Sequence, residues 1–199
     1  MKLLAFAACS AACLMTIPGC PGGSGAAGSL SVTSGPKSYT DTQGTSVTFA
    51  IGDAAFADRV VAFEMGTPGT SHAGYRNPET ALGPPKGDHD NEVVTLGCGG
   101  RLTLEFVDNV LVDQPGPDLH VFEVGPNVES MEIEISSDGT KWLDVGAVKG
   151  QPASVDIGDV AQPGAVYRFV RITDLKSGCG SDYPGADIDA VGTIGGRRR

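Results

Sequence analysis

The side chains in this sequence that are best suited to bind a metal or to do chemistry are carboxylates in and around one short apolar segment. Asp113, Asp118 and Glu123 flank or follow the run Pro115–Pro117, whose Pro-Gly-Pro composition predicts a turn. The next residues, 119–124, are largely apolar and β-branched or aromatic, which predicts a buried strand that contains Glu123. A buried carboxylate must be paired, protonated or bound to a metal, because desolvating an isolated charge is costly.

A second pair of carboxylates near the C-terminus could complete a site for a hard cation. Asp187 and Asp189 are two residues apart in a predicted strand, so their side chains are expected on one face of it. Calcium takes six to eight oxygen ligands, mostly from carboxylates and carbonyls. We therefore predict a calcium site whose ligands are Asp113, Asp118, Glu123, Asp187 and Asp189.

The same acids also have a purely structural interpretation. Asp113 and Asp118 could simply stabilise turns through their own backbone. Glu123 could then pair with Arg168 or Arg171, which lie in a later predicted strand. The sequence leaves both interpretations open.

A long irregular segment, residues 66–91, is the candidate recognition surface. Segments of this length inside a compact domain are usually functional or tethered to something. Binding a glycan requires aromatic side chains beside polar groups that grip hydroxyls. The candidate ligand-binding residues are Tyr75, Arg76, His89, Asp90 and, further along the chain, Tyr183. Solvated loop aromatics are the alternative, and Trp142, which follows a predicted hairpin, is assigned to the core.

The N-terminus predicts export. Residues 1–19 carry Lys2 and then an apolar stretch shorter than the roughly 20 residues that span a bilayer. This stretch ends at Ile17-Pro-Gly-Cys20, which resembles the lipobox of bacterial lipoproteins and implies a lipid on Cys20. Secretion with cleavage near residues 26–28 is the alternative. Residues 20–46, rich in Gly, Ser and Thr, are predicted to be a flexible tether.

Cys98 and Cys179 remain once the signal segment and the lipidated cysteine are set aside. Both lie in glycine-rich turns. Because an exported protein folds in an oxidising compartment, we predict that they form one disulfide.

The charge of the chain excludes some partners. A formal net charge of −10 argues against binding to nucleic acid or to anionic lipid. The tail at 196–199 is basic, and we expect a frayed, solvated terminus there.

The pattern of the remaining chain predicts one all-β domain over residues 47–195. Turn residues recur about every 8–12 positions, and several segments alternate apolar and polar side chains, as antiparallel sheets with one dry face do. We predict an antiparallel β-sandwich. Its strands are Ser46–Ile51, Arg59–Glu64, Glu92–Leu96, Arg101–Phe106, Leu119–Val124, Ser130–Ser136, Trp142–Val148, Ser154–Ile157, Tyr167–Thr173 and Ile188–Ile194.

Three of these segments, in this order, resemble the galactose-binding-like (discoidin-type) jelly-roll domains of bacterial cell-surface proteins. They are the hairpin Ile135–Val145 with its Asp-Gly and Trp, the strand Tyr167–Ile172, and the closing segment Gly185–Val191. The resemblance covers residues 56–194 and implies a sandwich that binds glycans or other surface ligands through loops, often with one calcium. The early calcium loop of that family is missing, so only Asp189 and Asp187 map onto its acidic position.

The expected function is therefore a non-catalytic, surface-displayed binding module for a glycan or envelope component, with a structural calcium. No nucleophile elbow and no His-Glu-x-x-His motif occurs in the sequence, which argues against an enzyme. The alternatives are a structural or assembly protein of the cell envelope with a protein partner and, with less support, a polysaccharide hydrolase. The sequence does not define the oligomeric state.

Overall fold

The computed structural model describes residues 35–87, 92–125, 129–150 and 152–199. These residues belong to one compact unit that spans Thr33–Arg199. The predicted signal segment 1–19, the lipidation residue Cys20, and the candidate ligand residues His89 and Asp90 lie outside the described residues.

The chain is all-β, as predicted, and each of the ten predicted strands is present with ends that shift by at most two residues. Short 3-10 helices at Gly52–Ala55, Ala73–Arg76 and Pro78–Ala81 are the described helical segments. The described strands are β1 (Lys37–Thr40), β2 (Ser46–Phe49), β3 (Arg59–Glu64), β4 (Val94–Thr95), β5 (Arg101–Glu105), β6 (Asn109–Val110), β7 (Leu119–Glu123), β8 (Ser130–Ser136), β9 (Leu143–Lys149), β10 (Ala153–Val155), β11 (Phe169–Asp174), β12 (Asp187–Thr193) and β13 (Arg197–Arg198).

Two antiparallel sheets enclose the core. Among the described strands one sheet has the order β3-β5-β11-β8-β9 and the other β10-β7-β12-β4. The alternation in β8 places Ile133 and Ile135 inward, where both are fully buried. Side chains of the other sheet, among them Val121 and Ile188, belong to the same buried cluster. Burial of apolar surface between the two sheets is therefore what holds the sandwich together.

The hairpin β1–β2 covers the outer face of the four-stranded sheet and corrects the predicted tether. Phe49 on β2 packs against Phe56 and Phe122, with ring centroids 4.8 and 6.0 Å away. The prediction that residues 20–46 form a tether is therefore wrong from residue 37 onward. Composition alone suggested a linker, but packing against the sheet fixes the hairpin.

The C-terminal tail also pairs with the fold. Arg197 and Arg198 in β13 form an antiparallel ladder with Val110 and Asn109 of β6. Their side chains are exposed, but the backbone is not the frayed end expected from the sequence.

A line of buried polar groups lies beneath the turn of the β1–β2 hairpin. Asp41 accepts hydrogen bonds from the backbone N–H groups of Gln43 and Thr45, which closes the turn. Its second carboxylate oxygen lies 4.0 Å from Nε2 of His120, whose Nδ1 is 2.7 Å from the Ser154 hydroxyl. Burial lowers the pKa of His120 to about 4, and the charge of Asp41 opposes this shift.

We predict that His120 makes stability depend on pH. Its folded pKa lies below the ordinary 6.5, so the neutral form stabilises the fold above pH 6.5, and this contribution is lost as pH falls toward 4. Relative to His120→Gln, the wild type should lose about 1.4 kcal/mol of unfolding free energy per pH unit in that window. Urea titrations of both proteins at several pH values measure this difference. Parallel curves would contradict it.

Candidate functional site

The turn at residues 96–100 joins the loops at one end of the sandwich. Cys98 forms a disulfide with Cys179, as predicted. The backbone of the turn also pairs with the start of the long loop, since Gly66 N–H donates to the Leu96 carbonyl and Cys98 N–H to that of Pro68, both at 2.9 Å. Two loops that are far apart in sequence are therefore attached to one turn.

Glycines make this close attachment possible. A Cβ on Gly66 would lie 2.3 Å from the carbonyl oxygen of Cys98. A Cβ on Gly185 would lie 2.4 Å from that of Gly97. Larger residues at either position would separate the backbones, so the turn and both loops pack against each other only because these positions lack side chains.

Three aromatic rings from these two loops contact one another. They belong to His72, Tyr75 and Tyr183, and we call them the ring cluster. The His72 and Tyr183 rings are stacked, with centroids 4.8 Å apart and an interplanar angle of 14°. Tyr75 meets Tyr183 edge-on, also with centroids 4.8 Å apart. The His72 side chain is exposed and the two tyrosines are half-buried, so the cluster reaches solvent.

Arg76 lies beside the ring cluster, in the same short helix as Tyr75. Its Nε and Nη2 donate to the carbonyl oxygen of Thr70 at 2.9 and 2.5 Å, which fixes the guanidinium against the loop. A guanidinium has five N–H donors, so two of them in these bonds leave three to meet a ligand.

The structure thus brings together Tyr75, Arg76 and Tyr183 of the predicted ligand-binding set. His72 was not among the predicted ligand-binding residues, although it lies in the same loop. The sequence around it does not indicate a binding role, because the ring that stacks on it, that of Tyr183, is more than a hundred residues away in sequence.

The sequence predicts Trp142 in the core, but in the structure Trp142 is not a core residue. It is half-buried, and the Arg171 guanidinium carbon lies 4.1 Å from the centre of its ring. Arg171 also donates through two nitrogens to the carboxylate of Glu134. Trp142 therefore belongs to a cation–π and ion-pair arrangement on the outer face of the five-stranded sheet.

The five predicted calcium ligands do not converge on one point. Asp113 and Asp118 lie together, and the ligand atoms of Asp113, Asp118 and Asp156 fall within 4.8 Å of one another. Across the described part of the chain, no such group combines these two acids with Glu123, Asp187 or Asp189. The structure therefore does not bring all five predicted ligands to one place.

Asp118 has a structural role at the start of β7. It is fully buried, and its two oxygens accept backbone N–H groups of Gln114 at 2.8 Å and Ile157 at 3.1 Å. Burial raises the pKa of this carboxyl, while the two N–H groups oppose the shift. The turn-stabilising interpretation is correct for Asp118.

Asp187 and Asp189 use their carboxylates for different partners. Asp187 accepts a hydrogen bond from the Thr95 hydroxyl. Asp189 accepts the backbone N–H groups of Lys86 and Gly87 at 2.8–3.0 Å and lines a cleft of about 180 Å3 beneath the β1–β2 hairpin. A register shift between Ile188 and Ala190 interrupts the alternation that predicted a shared face.

Glu123 is fully buried, as its apolar strand predicted, but neither arginine of the alternative interpretation pairs with it. Arg168 binds Glu105 and Arg171 binds Glu134. Oε1 of Glu123 instead accepts the backbone N–H of Asp187 at 3.4 Å. Burial in the first place, together with the neighbouring carboxyl of Glu129, raises the pKa of Glu123 to about 10; burial also raises the pKa of Glu129.

No protein-family model matches this chain, and no curated protein matches it. Solved structures that match include CpGH89CBM32-6 from Clostridium perfringens, at 18% identity over 51% of this chain and 72% of that one, with a TM-score of 0.35. Another is the C-terminal domain of a chitobiase from Bacteroides fragilis, at 14% identity over 71% and 93%, with a TM-score of 0.37. A third is a glycoside hydrolase, at 14% identity over 76% of this chain and 38% of that one, with a TM-score of 0.38.

All three TM-scores are below 0.5, so the sandwich fold is assigned from the strands and sheets of this chain itself.

Within the described residues, no helix is both long and apolar enough to cross a membrane.

We predict that Asp118→Ala destabilises the fold strongly. The change leaves two backbone N–H groups without their acceptor, and hydrogen bonds to charged groups contribute about 1.5–3 kcal/mol each. A loss of about 2–4 kcal/mol in unfolding free energy is expected from chemical denaturation in EGTA. The exposed neighbour change Asp113→Ala is the matched control and should stay within about 0.5 kcal/mol. Equal effects of the two changes would contradict the assigned role.

Proposed function

We propose that this protein is a non-catalytic binding module that recognises a glycan through the ring cluster. The observation that carries the proposal is the meeting of His72, Tyr75 and Tyr183 at the solvent-facing end of the sandwich, beside Arg76. Aromatic rings offer apolar faces to the C–H groups of a sugar, while the imidazole, phenol and guanidinium groups can hydrogen-bond its hydroxyls.

The ring cluster is also held in place before any ligand arrives. Tyr183 follows Cys179, which is bonded to Cys98, and His72 and Tyr75 follow the segment that pairs with the same turn. A rigid arrangement loses less conformational entropy on binding, so its contacts yield more affinity. This preorganisation supports a recognition role over that of a solvated loop.

The carboxylates give no comparable support for catalysis. Asp118 and Asp189 accept backbone N–H groups, and Glu105 and Glu134 pair with arginines. Acids engaged in this way hold the fold together and are poorly placed to protonate a leaving group or activate water. The names of the structural neighbours include glycoside hydrolases, but the proposal rests on the ring cluster.

Surface display and calcium complete the proposal. The lipid on Cys20 would anchor the protein at the outer membrane or cell surface, with the segment that follows acting as a spacer. For calcium, we take the candidate ligands to be the carboxylates of Asp113, Asp118 and Asp156, whose oxygens lie within 4.8 Å of one another.

We predict that Tyr183→Ala weakens glycan binding, because it removes the ring that contacts both His72 and Tyr75. The measurement is a glycan array probed with the wild type and the variant, followed by calorimetric titration with the best ligand. A loss of about 5- to 150-fold in affinity is expected, since stacking on an aromatic side chain contributes on the order of 1–3 kcal/mol.

Tyr183→Phe is the matched control, because it keeps the ring and removes only the hydroxyl. It should retain most of the affinity and the melting temperature of the wild type. Binding of the wild type to no saccharide would reject the glycan proposal and favour the rival role, a structural or assembly protein with a protein partner. Polysaccharide hydrolysis would favour an enzyme.

We further predict that Cys20 carries the lipid. Cells expressing the protein and fed an alkyne-tagged fatty acid should label the wild type and not Cys20→Ala. The variant should leave the membrane fraction, because its only proposed anchor is lost. Equal labelling of the two proteins, or secretion of an unlabelled wild type, would reject the anchor.

A further inference from the structure

The disulfide has a carboxylate directly beside it. Asp174, the last residue of β11, lies so close to Cys98 and Cys179 that one of its oxygens and the two Sγ atoms are all within 4.8 Å of one another. In the part of the chain that the structure describes, this is the group of neighbouring metal-ligand atoms that contains sulfur. Two sulfurs and one oxygen therefore meet at one point, at the end of the sandwich that carries the ring cluster.

The protein satisfies only one of the two oxygens of Asp174. The residue is 2% exposed, and its Oδ1 accepts the backbone N–H groups of Gly99 at 2.8 Å and Lys176 at 2.9 Å. Its Oδ2 is buried and has no hydrogen-bond partner. Such an oxygen costs about 1–3 kcal/mol, and in native proteins it often marks an ion or a redox site. A positive ligand beside the two sulfurs would remove this cost.

The sulfurs become metal ligands only after reduction, because the ligand form of cysteine is the thiolate. Cys98 and Cys179 are both half-buried, so a reductant can reach them from solvent. A dithiol reduces them by exchange: the Cys98–Cys179 bond breaks and a disulfide forms within the dithiol. Two electrons and two protons pass from the dithiol to the two cysteines.

We propose that Cys98, Cys179 and Asp174 bind one zinc ion once a dithiol has reduced the disulfide. Binding displaces the two thiol protons to solvent, forms two Zn–S bonds and one Zn–O bond, and leaves the fourth tetrahedral position to water. Thiolates select zinc over calcium and magnesium, which take oxygen ligands.

The geometry of the reduced site suits this ion. Tetrahedral zinc with Zn–S bonds of about 2.3 Å holds its two sulfurs about 3.8 Å apart. The Cα atoms of Cys98 and Cys179 are 5.2 Å apart, so rotation of the two side chains provides that separation with little movement of the backbone. The Lys176 side chain lies against the same turn, since a Cβ on Gly99 would be 2.6 Å from its Cε. Its ammonium group offsets the negative charge that two thiolates and a carboxylate leave beyond the charge of zinc.

Zinc would thereby replace the disulfide as the link between two loops. The disulfide joins the turn at residues 96–100 to the segment that leads to Tyr183, and the ion would hold the same two segments together under reducing conditions. The site is independent of the glycan proposal, because none of its three ligands belongs to the ring cluster.

The test is a titration of the full chain with cobalt and then zinc, before and after reduction. Cys9, Cys13 and Cys20 are replaced by serine in every sample, so that Cys98 and Cys179 are the only thiols. A phosphine reduces the disulfide and is then removed without air. The reduced protein should bind one Co2+ with the sulfur-to-cobalt charge-transfer absorption and strong visible bands of a tetrahedral thiolate site, and Zn2+ should bleach them. The oxidised protein should show neither. Absence of this absorption from the reduced protein would overturn the proposal.

Asp174→Asn tests the carboxylate, because it keeps an oxygen for the two N–H groups and removes the charge. It should weaken zinc binding to the reduced protein by at least about tenfold, since even an indirect partner of a metal contributes about 10–100-fold. Asp113→Asn makes the same change at the exposed acids and should leave the affinity as it is. Equal zinc affinities of Asp174→Asn and the wild type would exclude Asp174 and overturn the three-ligand site.

Melting temperatures provide a measurement that needs no variant at Asp174. Zinc at a hundredfold excess over its Kd should raise the melting temperature of the reduced protein by about 5–10 °C, because the folded state alone presents all three ligands. The oxidised protein should melt at the same temperature with and without zinc. A rise in neither form, or an equal rise in both, would also overturn the proposal.

Discussion

The close packing of the turn at residues 96–100 is the constraint on which this molecule's functional end depends. Glycines at 66, 97 and 185 let three stretches of backbone approach to distances that no side chain would allow, and the Cys98–Cys179 disulfide ties them together. On its outer side this junction presents the ring cluster. On its inner side Asp174 accepts the backbone N–H of Gly99 at 2.8 Å, which fixes the turn to the end of β11. One local arrangement therefore positions the proposed recognition surface, and loosening it would disturb that surface.

Several acidic side chains of this protein stabilise the fold by accepting hydrogen bonds from the backbone. Asp41, Asp118 and Asp189 are buried, and each accepts two backbone N–H groups of a loop or turn that the sheets leave without partners. A sandwich with long, irregular connections exposes many such groups, and carboxylates satisfy them with strong, charge-assisted hydrogen bonds. The surplus of acidic residues, which suggested a metal site in the sequence, is explained in large part by this role.

The strands and the disulfide could be predicted from sequence because they depend on local patterns and on compartment. Alternation in Ser130–Ser136 gave the correct inner face, and Tyr75 and Tyr183, chosen as candidate ligand-binding residues, contact each other in the structure. The strand Ser46–Phe49 was predicted, but its partner β1 and their packing on the sheet were not, because Phe49 packs on residues far along the chain. The positions of the five predicted calcium ligands depend on where the strands end and on the register shift between Ile188 and Ala190. His72 contacts Tyr183 only because the fold brings their two loops together. Such contacts are properties of the tertiary structure.

The central claim is that a glycan binds at the ring cluster, and residue-resolved NMR tests it most directly. Backbone amide shifts of the isotope-labelled protein would be followed while the best saccharide from an array is added. The account predicts saturable shifts confined to residues 69–76 and 180–184, the segments that carry the three rings. Saturable shifts at the opposite end of the sandwich, around Val112–Gln114 and Gly195–Arg197, would contradict it, as would the absence of any shift at saturating sugar.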